Sequence, residues 1–349
     1  MNVDEESISD IIPHNGGVIE IKYADCKPKK TAKELVEMLS EEKGITFSCG
    51  IGKEEAVEYL TSVNNYLRTA SYRKNYPKHT SGPNEGKYIG LDFRCLTELS
   101  TIDMHLRSIL LKMCIDVEHA LKVKLITAFS IEPTEDGYEA VRQFVFSDEA
   151  IQKSIAQKSN SVFTGNLINK YFDLKPIEEG SDRVEYVDCD CPVWVFVELL
   201  DFGRLISFIR FCKNRNPNLP LFAFNTLNPV RSLRNACAHN NCLLYDLSSS
   251  SETNPPWTIS SFVAKMTDIP KETRRSKLTC RPLFEITCLL YEYHKWVSPK
   301  VYKNGILSLQ RLINERMYRN IDLFKNNGRI VTSFEYLKKM VDNLAANCI

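Results

Sequence analysis

The sequence predicts an all-α protein, and three observations carry that expectation. Apolar residues recur at spacings of three and four over most of the chain, strand-like alternation is scarce, and helix-start residues stand where the periodic runs begin. No repeat of fixed period is present.

Residues 1–30, with Pro13 and the Gly16-Gly17 pair, lack periodicity and read as a tail. Thr31 then opens a helix: Glu34, three residues on, completes a reciprocal capping box, Leu35, Val36, Met38 and Leu39 follow, and Gly44 supplies a stop. Ala56, Val57, Leu60, Val63 and Leu67 predict a second helix over about 53–67. The strongest pattern is Ile102, Leu106, Leu110, Met113, Val117, Leu121 and Leu125 within 99–129. At 1.5 Å per residue it predicts a central strut on the order of 40 Å long. Asp148 opens a helix to about Gln157. Residues 160–190 hold Pro176, Gly180 and an acidic cluster from Asp173 to Asp190, which predicts an exposed excursion. Pro192 to Cys212 is dense apolar helix, and Asn228-Pro229 reads as an N-cap and first helical residue of a helix ending near His239 at Asn240-Asn241. A Ser/Asn/Pro-rich linker over 248–256 precedes three helical segments at roughly 282–297, 305–326 and 333–346.

The charge balance of 45 Lys+Arg against 44 Asp+Glu gives +1, which argues against coating nucleic acid through bulk charge and leaves local basic patches open. Twelve cysteines lack the paired spacings of a zinc ribbon, and thiols used this freely indicate a reducing cytosol. The acidic N-terminus has no secretory pattern and the apolar stretches are too short to span a bilayer. The expectation is a cytoplasmic protein with no membrane partner. Cys189 with Cys191, and Cys237 with His239 and Cys242, do not have standard zinc-ligand spacing, so neither a metal nor a cofactor is expected.

The densest group of reactive side chains is Arg231-Ser232-Leu233-Arg234-Asn235-Ala236-Cys237-Ala238-His239-Asn240. On a helix Asn235 and His239 share a face, whereas Arg234 and His239 are about 140° apart around the axis. A histidine in the last turn sits where the helix dipole favours the imidazolium, which suits a proton donor, and the planar arginine fork suits phosphate oxygens. A capping histidine beside a surface arginine is the plainer alternative. Two basic stretches bear on RNA binding. Arg68, Arg73, Lys74 and Lys78 interleave with Tyr72 and Tyr76, which suits phosphates and base faces or else a solvated basic loop; Lys271, Arg274, Arg275, Lys277 and Arg281 form the second. Arg73 and His79 have the spacing of a second Arg/His pair, but Pro77 and Ser81-Gly82-Pro83 place them in a loop.

The run from Leu233 to Asn240 resembles the signature of the Abi-like proteins, bacterial abortive-infection phage-resistance proteins of the HEPN superfamily. The segment 192–205, with Trp194, Glu198 and Phe202-Gly203, resembles the family segment before that signature. The tyrosine-rich stretch from Tyr59 to Tyr76 and the strut with Asp103, Arg107 and Glu118 resemble two further blocks in the family's order. The resemblance departs at Asn241, Cys242 and Leu243, where the family often has a basic residue and an aromatic.

The resemblance implies a multi-helix HEPN-like bundle with additional N- and C-terminal helices. Its parts would be a tail (1–30), a basic-tyrosine RNA-binding region (31–98), a helical core (99–247) with an insertion at about 158–191, and a linker with C-terminal helices (248–349). It implies a metal-independent endoribonuclease toxin in which His239 is the acid/base, Arg234 steadies the phosphate and Asn235 orients them. Arg231 would join the RNA contacts; Arg107, Glu118, Trp194 and Glu198 would support the site. The implied partners are a target RNA, a small structured non-coding RNA that restrains the protein, and a second copy of the chain, because one motif supplies one histidine. The alternative is a non-catalytic RNA-binding or scaffold protein of a phage-defence system.

Overall fold

A computed structural model describes residues 28–176, 184–219, 226–249 and 254–347. It is all-α: among the described residues, a two-stranded sheet is the exception to helix. The expected tail falls almost wholly outside the described residues. In chain order the elements are α1 (Ala32–Glu41), α2 (Lys53–Glu58), α3 (Tyr66–Ser71), α4 (Phe93–Ile131), α5 (Glu139–Phe146), α6 (Glu149–Ala156) and α7 (Gly165–Tyr171), then strands β1 (Phe172–Pro176) and β2 (Val184–Cys189). There follow α8 (Val193–Leu199), α9 (Phe202–Arg215), α10 (Leu227–Ala238), α11 (Trp257–Ala264), α12 (Lys271–Leu278), α13 (Arg281–Trp296), α14 (Pro299–Arg311) and α15 (Gly328–Ala346).

The strut is α4. Its 39 residues make it ~58 Å long, and Asp92 caps it by accepting the Arg94 N–H at 2.9 Å. Leu99, Ile102, Leu106, Leu110, Val117, Leu121 and Leu125 are fully buried along one stripe. Helices α10 and α13 pack on that stripe and on each other, flanked by α9 and α14. The C-terminal helices share one contiguous apolar core with the rest, through residues such as Leu289, Ile306, Phe334 and Met340.

Several boundaries differ from expectation, each for a local reason. The helix expected over 53–67 breaks: α2 runs into a π turn at Tyr59–Val63, Asn64 is extended, and the Asn65 side chain caps α3 by accepting from Arg68 N at 2.9 Å. The apolar stretch 192–212 is two helices, because Leu200 leaves the helix and Asp201 caps α9 through the Arg204 N–H. Helix α10 begins at Leu227 after Thr226, with Pro229 third, where its missing N–H still needs no intrahelical acceptor. The segment expected over 305–326 begins at Pro299 and ends in a π turn at Leu312–Met317 and a 3-10 turn at Ile321–Phe324. The last helix, expected from about 333, begins at Gly328 with Asn327 as its cap, and Ser333 is buried inside it.

The acidic excursion contains α7 and the antiparallel hairpin β1–β2, with a register irregularity at Asp173/Leu174. Glu178, Glu179 and Asp182 lie outside the described residues. Arg142 of α5 reaches Asp190 at 2.9 Å and Asp188 at 3.6 Å, tying the hairpin's second strand to the body. No helix among the described residues is long and apolar enough to cross a membrane.

Gly305 in α14 marks a close approach of two helices. A Cβ there would lie 2.3 Å from the hydroxyl of buried Tyr293, which donates to Val301 O at 3.0 Å and Asp116 at 3.1 Å. Gly305→Ala should therefore destabilise the protein by about 1–3 kcal/mol through overpacking. Urea unfolding should show a lower midpoint with an unchanged slope.

Candidate nucleic-acid site

The signature helix α10 is pinned at both ends. At its start Thr226 donates its hydroxyl to Glu292 of α13, which also accepts from the Trp296 indole. Burial pushes the Glu292 carboxyl above its ordinary range, and the two donors oppose that shift. At its end His239 is the C-cap and Asn240 adopts φ +57°, the left-handed conformation that asparagine tolerates. The Asn240 N–H returns to Cys237 O at 3.1 Å and the Asn241 N–H to Ala236 O at 2.8 Å, which is a Schellman closure. Asn240 thus stops the helix as its sequence position predicts.

Beyond that closure the chain is strapped to α4. The buried Asp103 carboxylate pairs with Arg107 one turn on and accepts the Tyr72 hydroxyl at 2.8 Å. It also accepts the backbone N–H groups of Leu243 and Leu244 at 3.1 Å, while Arg107 donates to Asn241 O at 3.3 Å. Burial raises the Asp103 pKa, against the pull of Arg107 and these donors. Buried Asn75 completes the strap, donating to Leu244 O and accepting from Leu247 N, both at 2.8 Å.

Around this fixed end the proposed catalytic residues are divided. His239 is exposed and lines a groove of about 680 Å³, together with α3, the 240–248 segment and the start of α13. Arg234 and Asn235 line a separate cleft of about 320 Å³ with Asp201, Gly203 and Arg231. Arg234 Nη1 donates to Asn235 Oδ1 at 3.2 Å, and its Nε is buried without a hydrogen-bond partner among the described residues. The angle between positions five apart separates Arg234 from His239, but Asn235, expected on the face of His239, lines the Arg234 cleft instead, where its Oδ1 accepts from Arg234. Gly203 lets Arg231 approach: a Cβ would sit 3.3 Å from Arg231 Cδ and Nη1.

The expected support residues have distinct places. Arg107 is buried in the strap. Half-buried Glu118 is pushed up by desolvation, with Lys122 and then Arg234 pulling it down. Glu198 is exposed and pairs with Lys122 at 3.0 Å. Trp194 stands 49% exposed, edge-on to Tyr138 at 5.7 Å, so it packs on the surface and not beside the signature.

Of the expected RNA-binding residues, three are unavailable to a surface ligand. Tyr72 is fully buried on Asp103, and Tyr76 is 7% exposed, so neither offers a face to a base. Buried Lys277 gives its ammonium to the hydroxyls of Thr332 at 2.7 Å and Ser333 at 3.1 Å, and desolvation lowers its pKa. Their neighbours are at the surface but already engaged with tyrosines: Arg73 lies 5.6 Å from the Tyr66 ring and Lys78 5.0 Å from Tyr88. Lys74 pairs with Asp246 at 2.7 Å and lies over Tyr245 at 5.3 Å. Arg68 lines the His239 groove, and Arg274 and Arg275 lie on α12. His79 follows an isolated bridge between Lys78 and Tyr88, in a loop.

Eight of the ten described cysteines are buried and pack as small apolar residues. Cys237 is buried and its thiol is pushed up to about 12 by desolvation. Among the described residues no three His, Cys, Asp or Glu side chains come together as a metal site. Sequence reading missed Leu67, Tyr245, Arg281 and Glu285 as neighbours of His239, since they come from three separate segments.

Asp103→Ala should leave Arg107 buried without its partner and two N–H groups without an acceptor, a loss of about 3–5 kcal/mol measurable by denaturant unfolding. At the helix end, Asn240→Gly should stay within a few tenths of a kcal/mol of the wild type. Asn240→Val should cost about 1–2 kcal/mol, because a β-branched residue resists positive φ.

A model of the Abi-like protein family matches residues 58–245, more than half of the chain. No curated protein and no solved structure matches significantly. The match runs from the tyrosine-rich stretch through α4 and the signature helix to the strap on Asp103. The chain belongs to the Abi-like protein family.

Proposed function

We propose that the protein is an abortive-infection effector that cuts RNA without a metal, through a HEPN-type site at the end of α10. Membership in the Abi-like family suggests abortive infection and phage resistance. The observation that carries the chemistry is the presentation of exposed His239 at the capped end of α10, with Arg234 and Asn235 of the same helix lining a separate cleft. In the proposed reaction the 2′-oxygen of one nucleotide bonds to its adjacent phosphorus and the bond from phosphorus to the 5′-oxygen breaks. A base takes the 2′-OH proton and an acid delivers one to the departing oxygen, leaving a cyclic phosphate and a free 5′-hydroxyl. His239 serves one of these proton transfers, and the Arg234 guanidinium neutralises charge developing on the phosphorane.

One motif supplies one histidine, and in a single copy His239 and Arg234 line different cavities. A homodimer that apposes two α10 ends would bring a second histidine and an arginine to the same phosphate. A small structured RNA covering these ends would restrain the activity. The reading is tested by inducing wild type and His239→Ala in cells, following growth, and mapping RNA ends. Wild type should arrest growth and generate cyclic-phosphate ends, with His239→Ala reducing both at least a hundredfold. Equal toxicity with no new ends would overturn it. Light scattering should give about twice the 40.1 kDa chain mass; a monomer with and without RNA would remove the composite site.

A further inference from the structure

The groove beside His239 has more than the proposed chemistry needs. Its volume of about 680 Å³ is in the range of sites that enclose a small organic ligand. Its lining mixes apolar, cationic and carboxylate groups that no internal contact fully uses. Leu67 is 78% exposed and Tyr245 41% exposed, two large apolar side chains left at the rim of one depression. Tyr245 is held in place, since Lys74 lies over its ring and is itself anchored on Asp246. From α13 comes Glu285, buried at 7% exposure, whose Oε1 accepts from Arg281 Nε at 2.9 Å. The Arg281 side chain is 80% exposed, so the bond to Glu285 leaves its two terminal amino groups open to phosphate oxygens. Arg68, from α3, is the second cation of the groove.

We propose that this groove is a base-reading subsite of the RNA strand, in which Tyr245 and Leu67 hold a nucleobase, Glu285 accepts from its exocyclic amino group, and Arg68 and Arg281 hold a flanking phosphate. It rests on the reading of His239 as the cutting end and gives that end a sequence preference. A carboxylate can only accept, so adenine, cytosine and guanine, which present an exocyclic N–H₂ donor at a corner of the pairing edge, are preferred over uracil, whose one donor there, N3–H, lies between two carbonyl oxygens. A uracil turned to donate its N3–H sets O2 and O4 against the buried Glu285 carboxylate, and that repulsion is what penalises it. The aromatic and aliphatic faces are indifferent to base identity and supply affinity.

The test uses the full chain and fluorescent 2′-O-methyl pentanucleotides that differ only in their central base, read by anisotropy at one fixed ionic strength. These probes have no free 2′-hydroxyl and cannot be cut by 2′-attack, so binding is read apart from cleavage. Wild type should bind the adenine, cytosine and guanine probes about tenfold tighter than the uracil probe. Glu285→Gln, whose amide both donates and accepts, should bring the four within about twofold of one another. Tyr245→Ala should weaken all four by about tenfold. Leu67→Asp, at an exposed position remote from the core, should do the same and keeps the question answerable if Glu285→Gln fails to fold. Equal affinity for all four probes in the wild type, or no loss in Tyr245→Ala and Leu67→Asp, overturns the subsite. New RNA ends from a wild type that shows no preference would sink the groove and keep the ribonuclease. Selective binding with no cut RNA would do the reverse.

Discussion

The structure of the signature end depends on one buried carboxylate. Asp103 lies on the inward face of α4 with no exposure to solvent, where an unpaired charge would be prohibitive. It is tolerated because four partners converge on it: the Arg107 guanidinium, the Tyr72 hydroxyl and the N–H groups of Leu243 and Leu244. Those partners come from three separate parts of the chain, so satisfying one charge fixes the tyrosine-rich stretch and the post-signature strap against the strut. A buried ion pair is a poor source of net stability, since the desolvation of two charges offsets much of their attraction. Its consequence here is positional. Partners that must meet at one point leave the end of α10 little freedom to wander.

Asn75 extends the same logic to the C-terminal helices. Its side chain clamps the strap at Leu244 and Leu247, while its own carbonyl accepts from Asn327 at 3.1 Å, the residue that caps α15. With Thr226 held by Glu292 of α13, the helices after 254 fix α10 from behind at both ends. The linker-and-helices region expected over 248–349 is therefore joined to the signature through hydrogen bonds as well as apolar packing, and α13 contributes Arg281 and Glu285 to the groove directly.

The strut, the capping box at Thr31 and the Asn240 stop were legible because each is written in local chemistry: a 3.6-residue apolar period, a reciprocal pair three residues apart, and a residue that accepts positive φ. Helices α5, α7, α11 and α12, of seven or eight residues each, were not, since two turns hold too few apolar positions to establish a period. The hairpin was hidden by its acidic residues, which resemble a solvated loop until Arg142 is seen to pair with two of them. The candidate site was half legible. The i to i+5 spacing of Arg234 and His239 already implied different directions, and they do line different cavities. Tyr72 and Tyr76 looked like stacking residues because a buried tyrosine with a polar partner and an exposed one beside lysines have the same local sequence. For Tyr72 the deciding partner is Asp103, 31 residues away, and Tyr76 is taken up by the apolar core.

The same comparison revises how the charge is distributed. The sum of +1 suggested two basic stretches offset by an acidic one, but part of that basicity is internal. Lys277 is buried, Lys74 neutralises Asp246, and Arg73 and Lys78 lie against tyrosine rings, where they stiffen the surface near the strap. In the two depressions at the α10 end the arginines are instead Arg231 and Arg234 in one and Arg68 and Arg281 in the other. A guanidinium keeps its charge at any working pH and presents several donors in a plane, so arginines in both depressions suit oxyanions spaced along a backbone. Lysines of the tyrosine stretch maintain the shape of the groove, and arginines drawn from three segments, α3, α10 and α13, give the two depressions their electrostatic character. That division explains why linear clustering of basic residues was a poor guide to the surface: the groups that face the cavities are assembled by packing on α4, not by adjacency in the chain.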